Sequence, residues 1–91
     1  MCTNITARFE AAGSAKGREG WFALDSAYVG YDHPVHASLE HAVLIDLVNE
    51  ASGPGARVAL ELPRDAARAL ATRILEAVDA ADRYEQDAHA V

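Results

Sequence analysis

The spacing of apolar residues changes at Pro63, and this change constrains the fold more than any other feature of the chain. Before Pro63, apolar and polar residues alternate with a period of two, which is typical of half-buried β-strands. After Pro63, apolar residues recur on one stripe at the helical repeat: Ala66, Leu70, Ile74, Val78 and Ala81. The pattern therefore predicts a β-sheet followed by one C-terminal helix over residues 65–84.

The strand pattern occurs in several short segments, which we predict as strands: 4–11, 21–24, 27–31, 41–48 and 57–62. The Gly/Pro-rich connection over residues 49–55 predicts an antiparallel hairpin between the last two. A glycine-rich segment, 12–20, is interpreted as a loop and Asp25-Ser26 as a turn between two strands. Gly30 inside a strand indicates a bulge or a close backbone approach. The expected fold class is α+β: an antiparallel sheet of four to five strands with one C-terminal helix packed on one face.

Chain length bounds how much of this fold can be buried. A chain of 91 residues buries only about 60–65% of its unfolded surface. We expect one domain over residues 1–84 and a frayed polar tail over residues 85–91. Much of the apolar content is alanine, which buries little area, so we expect a homodimer to complete the core.

Charge and cysteine content exclude several classes of partner. The formal net charge of −6 disfavours nucleic acid and anionic membranes. One cysteine allows no intrachain disulfide, and no apolar segment is long enough to span a bilayer. A cytoplasmic location is the resulting expectation.

Three of the four histidines fall in residues 31–41: His33, His36 and His41. Imidazole is the commonest metal ligand, and Pro34 bends the chain between the first two of these residues. Three imidazoles on a bent loop can converge on one ion, so we predict a divalent metal site. Zinc is the first choice, and Fe(II) or Ni(II) is chemically compatible. The alternative is a set of solvated loop histidines.

Three other residues are candidates for the same site. Cys2 would be a fourth metal ligand as its thiolate, or else a small buried apolar residue. Glu40 is a candidate general base, and Asp32 could orient a histidine through its ring N–H. For both acids the alternative is a solvated loop carboxylate.

Three blocks of sequence carry a resemblance to a known family: Met-Cys-Thr-x-Ile-Thr at residues 1–6, the Ala-Gly-Ser-Ala-Lys-Gly run ending at Trp21-Phe22, and Tyr-Asp-His-Pro-Val-His-Ala-x-x-Glu-His at 31–41. As a set they resemble a family of short bacterial proteins of unknown function. The resemblance implies that Cys2, His33, His36, Glu40 and His41 form one constellation. It implies no activity.

Two function classes follow from these residues. The preferred one is a metal-dependent enzyme, a hydrolase or lyase, in which an ion activates water or polarises an oxygen of a small molecule. The alternative is a non-catalytic binding module whose metal is structural or absent. A metal-free enzyme that uses His and Glu as acid and base is a third hypothesis.

Overall fold

The computed structural model describes residues 3–88 and has one sheet and one α-helix. Its elements are β1 (Ile5–Gly17), β2 (Gly20–Asp32), β3 (Ala42–Val48), β4 (Arg57–Leu62) and α1 (Arg64–Ala88), with a 3-10 turn at Glu50–Ser52. The strands pair antiparallel in the order β1-β2-β3-β4, so each hydrogen-bonds to its neighbour in sequence. The predicted α+β class, the antiparallel sheet and the hairpin between β3 and β4 are confirmed.

The first two strands are longer than their local sequence indicates. Residues 12–17, predicted as loop, belong to β1, and the predicted turn at Asp25-Ser26 lies inside β2. Ser26 pairs with both Glu10 and Val48 and is fully buried. Pairing on both sides therefore outweighs the turn preference of this dipeptide. The glycine-rich segment does interrupt the pairing of β1 with β2, because the register shifts between Glu10 and Gly13 as in a β-bulge.

The two faces of the sheet differ sharply in polarity. One register row on the first face runs Ala7, Val29, Ile45, Leu60 across the four strands. The next row, which points to the opposite face, runs Arg8, Tyr28, Asp46, Ala59. Side chains alternate along each strand, so this difference repeats along the sheet. We call these the apolar face and the polar face.

Helix α1 contacts β3 and β4 and leaves most of its surface exposed. Ala66 and Ala67 are its half-buried residues, and no residue of Arg64–Ala88 is buried. The helix also runs past its predicted end at Tyr84 as far as Ala88. Residues 85–88 of the predicted frayed tail are thus helical, because Glu, Gln and Ala favour helix and no Gly or Pro interrupts them. His89 and the two residues after it lie outside the described residues.

The core is thin, as the chain length predicts. Among residues 3–88, those that are buried are small: Ala15, Ser26, Ala27, Ala42 and Ala56. Large apolar side chains remain open to solvent instead, including Phe9 at 49% and Ile74 at 53% exposure. Within the same residues, α1 lacks an apolar stretch able to cross a lipid bilayer.

Gly30 provides a test of the pairing between β1 and β2. A Cβ atom at this position would lie 2.7 Å from the carbonyl oxygen of Ile5, so the predicted close backbone approach is confirmed. We expect Gly30→Ala to lower the free energy of unfolding by about 1–3 kcal/mol, because β1 must shift away from β2. Urea denaturation measures this change, and Ser14→Ala on the same hairpin is the control. Equal midpoints for the two variants would contradict the close approach.

Candidate functional site

The loop from His33 to His41 joins β2 to β3 and is held in place by a carboxylate on β4. The Glu61 side chain accepts three backbone N–H groups of this loop, from Val35 at 2.5 Å, His36 at 2.9 Å and Ala37 at 2.8 Å. Three donors around one carboxylate fix the course of the loop through charge-assisted hydrogen bonds. Glu61 therefore positions the segment that carries all three clustered histidines.

The same hydrogen bonds change the acidity of Glu61. The Val35 N–H, followed by that of Ala37, lowers the pKa of Glu61 below its ordinary value of 4.5. Partial desolvation opposes this change, while the His36 N–H and the nearby His36 imidazole add to it. The ionised form is the one that holds the loop.

His33 and His41 come together at the end of the apolar face. Their ring centroids are 4.6 Å apart with the planes tilted by 31°. His41 also stacks on Tyr31, with centroids 5.6 Å apart. On the other side of the pair, His33 Nδ1 lies 2.9 Å from the Glu40 carbonyl oxygen. We call Tyr31, His33 and His41 the histidine corner.

The remaining predicted residues are placed differently. His36 lines a separate cleft beside Val35, Arg57 and Leu60, on the β4 side of the loop. Asp32 accepts the backbone N–H of His33 at 2.8 Å through Oδ1. Glu40 lines the cleft that contains His41. Cys2 lies outside the described residues, although Thr3, which follows it, donates a hydrogen bond from its hydroxyl to the Tyr31 carbonyl.

Residues 3–88 bring no set of three His, Cys, Asp or Glu side chains into an arrangement that could hold a metal ion. The histidine pair is therefore two ligands short of a tetrahedral shell within the described part of the chain.

An open cleft of about 610 Å³ adjoins His41, and we call it the histidine cleft. It lies between the histidine corner and the start of α1, and its lining is Tyr31, Leu39, Glu40, His41, Pro63, Arg64, Asp65 and Arg68. Its volume is in the range of small-molecule sites.

A second polar cluster lies on the polar face and was not singled out from sequence. Glu50 accepts a hydrogen bond from the Tyr28 hydroxyl and lies 3.5 Å from Arg8 Nε, and the Arg8 guanidinium sits 5.9 Å from the Tyr28 ring centre. The Tyr28 hydroxyl, followed by the charge of Arg8, lowers the pKa of Glu50. These residues are far apart in sequence, so no local spacing signals the cluster. We interpret it as a solvated contact between strands and the 3-10 turn.

The model of a family of unknown function, DUF6295, matches residues 1–87 of the chain. The chain belongs to this family. The resemblance to an uncharacterised family is thereby confirmed, and the DUF6295 match takes in every strand and nearly all of α1. No curated protein and no solved structure matches the chain.

The role of Glu61 predicts a pH-dependent stability. We expect Glu61→Gln to lower the melting temperature at pH 7, because the amide NH2 replaces one carboxylate oxygen and cannot accept the backbone N–H groups that this oxygen accepts, from Val35 at Oε2 or from His36 and Ala37 at Oε1. The folded-state pKa is depressed, so the carboxylate stabilises the fold above pH 4.5 and loses this effect as the pH falls through its lower folded value. The difference between wild type and variant should therefore shrink below pH 4.5.

Thermal unfolding between pH 3 and 7 measures this dependence, with Glu10→Gln, an exposed carboxylate on β1, as the control. If Glu61→Gln melts at the wild-type temperature at pH 7, the carboxylate does not hold the loop.

Proposed function

We propose that this DUF6295 chain is a metal-binding protein whose divalent ion, zinc or a similar one, is held by His33 and His41. The observation that supports this is the 4.6 Å separation of the two ring centroids. Two imidazoles on one tetrahedral zinc, with Zn–N bonds of about 2.0–2.1 Å, have centroids about 5 Å apart. The spacing in this structure is close to that value.

The contact at His33 Nδ1 adds a second argument. Histidines that bind metals usually donate the N–H of their other ring nitrogen to a carbonyl or carboxylate. When His33 Nδ1–H donates to the Glu40 carbonyl, the neutral ring carries its lone pair on Nε2. That tautomer can ligate a cation while its orientation is fixed by the loop.

Cys2 is the third ligand in this proposal. It directly precedes Thr3, whose side chain is anchored to the Tyr31 carbonyl at the histidine corner. Two imidazoles and a thiolate leave the fourth position of a tetrahedral ion for water or substrate. His36, which lines a different cleft, is not part of this ligand set.

We further propose that the site is catalytic and acts on a small molecule in the histidine cleft. An ion with an open position polarises a substrate oxygen or lowers the pKa of a bound water. Glu40 lines the same cleft as His41 and is the candidate to carry the proton. The reaction class is hydrolase or lyase chemistry. We also propose that the protein is a homodimer and that it is located in the cytoplasm.

A non-catalytic interaction module is the second candidate function. The apolar face favours it, since Phe9, Val29 and Leu60 remain exposed there and offer a partner a large apolar surface. In that case the ion would be structural. Chelation would then lower the melting temperature strongly, while small molecules would not bind the histidine cleft.

Metal content tests the proposed ligand set. Protein purified without a His tag should contain about one zinc per chain by elemental analysis. His33→Ala and His41→Ala should each weaken zinc affinity by at least about 100-fold, because even a lost outer partner of a ligand costs about 10–100-fold.

His36→Ala is the matched control and should retain wild-type affinity. Loss of zinc from this variant alone would contradict the ligand set, and wild-type protein that binds no divalent metal would contradict the proposed function altogether.

A further inference from the structure

An apolar groove of about 620 Å³ runs between the apolar face of the sheet and α1. It is lined on the sheet side by Phe9, Val29, Ile45 and Leu60, and on the helix side by Leu70 and Ile74. All but Ile45 of these six are at least 36% exposed. The apolar groove is thus an open surface rather than a filled core.

The width of the sheet explains why the apolar groove stays open. Four strands spaced about 4.7–4.9 Å apart span about 19 Å, whereas a helix with its side chains is about 10–12 Å across. One helix therefore covers two strands, and α1 contacts β3 and β4. A second helix is needed to cover β1 and β2, and residues 3–88 contain a single α-helix.

The surface area of the chain sets an upper bound on the size of a contact with a second copy. A compact monomer of 9.7 kDa exposes roughly 5,100 Å². This chain exposes 6875 Å², an excess of about 1,750 Å² for each copy. Two copies that bury this excess would form an interface of about 3,500 Å², which is the size of an obligate homodimer interface.

The radius of gyration also shows that the single chain is more extended than a compact domain. Its radius of gyration is 15.8 Å, compared with about 12 Å for a compact domain of this length. The exposed apolar stripe of α1 continues to Val78 at 49% exposure. Each copy therefore exposes two complementary surfaces, the apolar groove and the apolar stripe of α1.

We propose that the apolar groove is occupied by α1 of a second copy, which places the Ile74–Val78 stripe over β1 and β2. The arrangement is twofold, because each copy supplies one groove and one stripe. This inference rests on the homodimer of the proposed function and identifies its interface. Arg64 and Arg68 line both the apolar groove and the histidine cleft, so the second copy also borders that cleft.

Sedimentation equilibrium tests the proposal with the full chain at micromolar concentration. Wild type should be a dimer, and Ile74→Glu should weaken the dimer by at least about 100-fold, since it places a charge in the apolar groove. Thr72→Glu adds the same charge on the opposite side of α1 and should remain dimeric. Phe9→Glu, on the sheet side of the groove, should weaken the dimer as Ile74→Glu does.

Circular dichroism of each variant shows whether it still folds, and Ile74 is exposed in the single chain, so its replacement need not disturb the monomer. A monomeric wild type, a dimer unchanged by both Ile74→Glu and Phe9→Glu, or equal weakening by Thr72→Glu would overturn the proposal. All measurements are made with and without a metal chelator. A dimer that persists after chelation supports an interface independent of the metal. A monomer that still binds metal would overturn this interface and the homodimer of the proposed function, while the proposed metal ligands would stand.

Discussion

The apolar face of a four-stranded sheet is the constraint on which the rest of the molecule depends. Rows such as Ala7, Val29, Ile45 and Leu60 place apolar side chains on one face in every strand. Helix α1 is too narrow to cover all of them, and its own residues are exposed from Leu70 onwards. Because burial of apolar surface is the main driving force for folding, the uncovered part of this face favours the homodimer proposed above.

Glu61 connects this scaffold to the candidate site. Its carboxylate belongs to the last strand, yet it holds backbone groups of the loop between β2 and β3. The loop in turn sets His33 against His41 and directs His36 to another cleft. The geometry of the histidine corner therefore depends on the pairing of β3 with β4, which brings Glu61 opposite Leu44.

Particular residues show which features could be predicted from sequence. Alternation in residues 57–62 and the helical stripe after Pro63 predicted β4 and α1, because periodicity is a local property. The turn predicted at Asp25 and Ser26 is wrong, because the local preference of these residues is outweighed by pairing with strands on both sides. At the site, the clustering of histidines was visible, but the pairing of His33 with His41 was not. That pairing depends on hydrogen bonds to Glu61, which is 20 or more residues away from the loop.

The sequence by itself determined the order of strands and helix, the thin alanine-rich core and the segment that holds the histidines. These features follow from residue type and from spacing over a few neighbours. Only the tertiary structure decided that β1 and β2 are long, that two of the three histidines meet, and that one face of the sheet stays open. Each of these depends on contacts between segments far apart in the chain, whose geometry the spacing of residues does not encode.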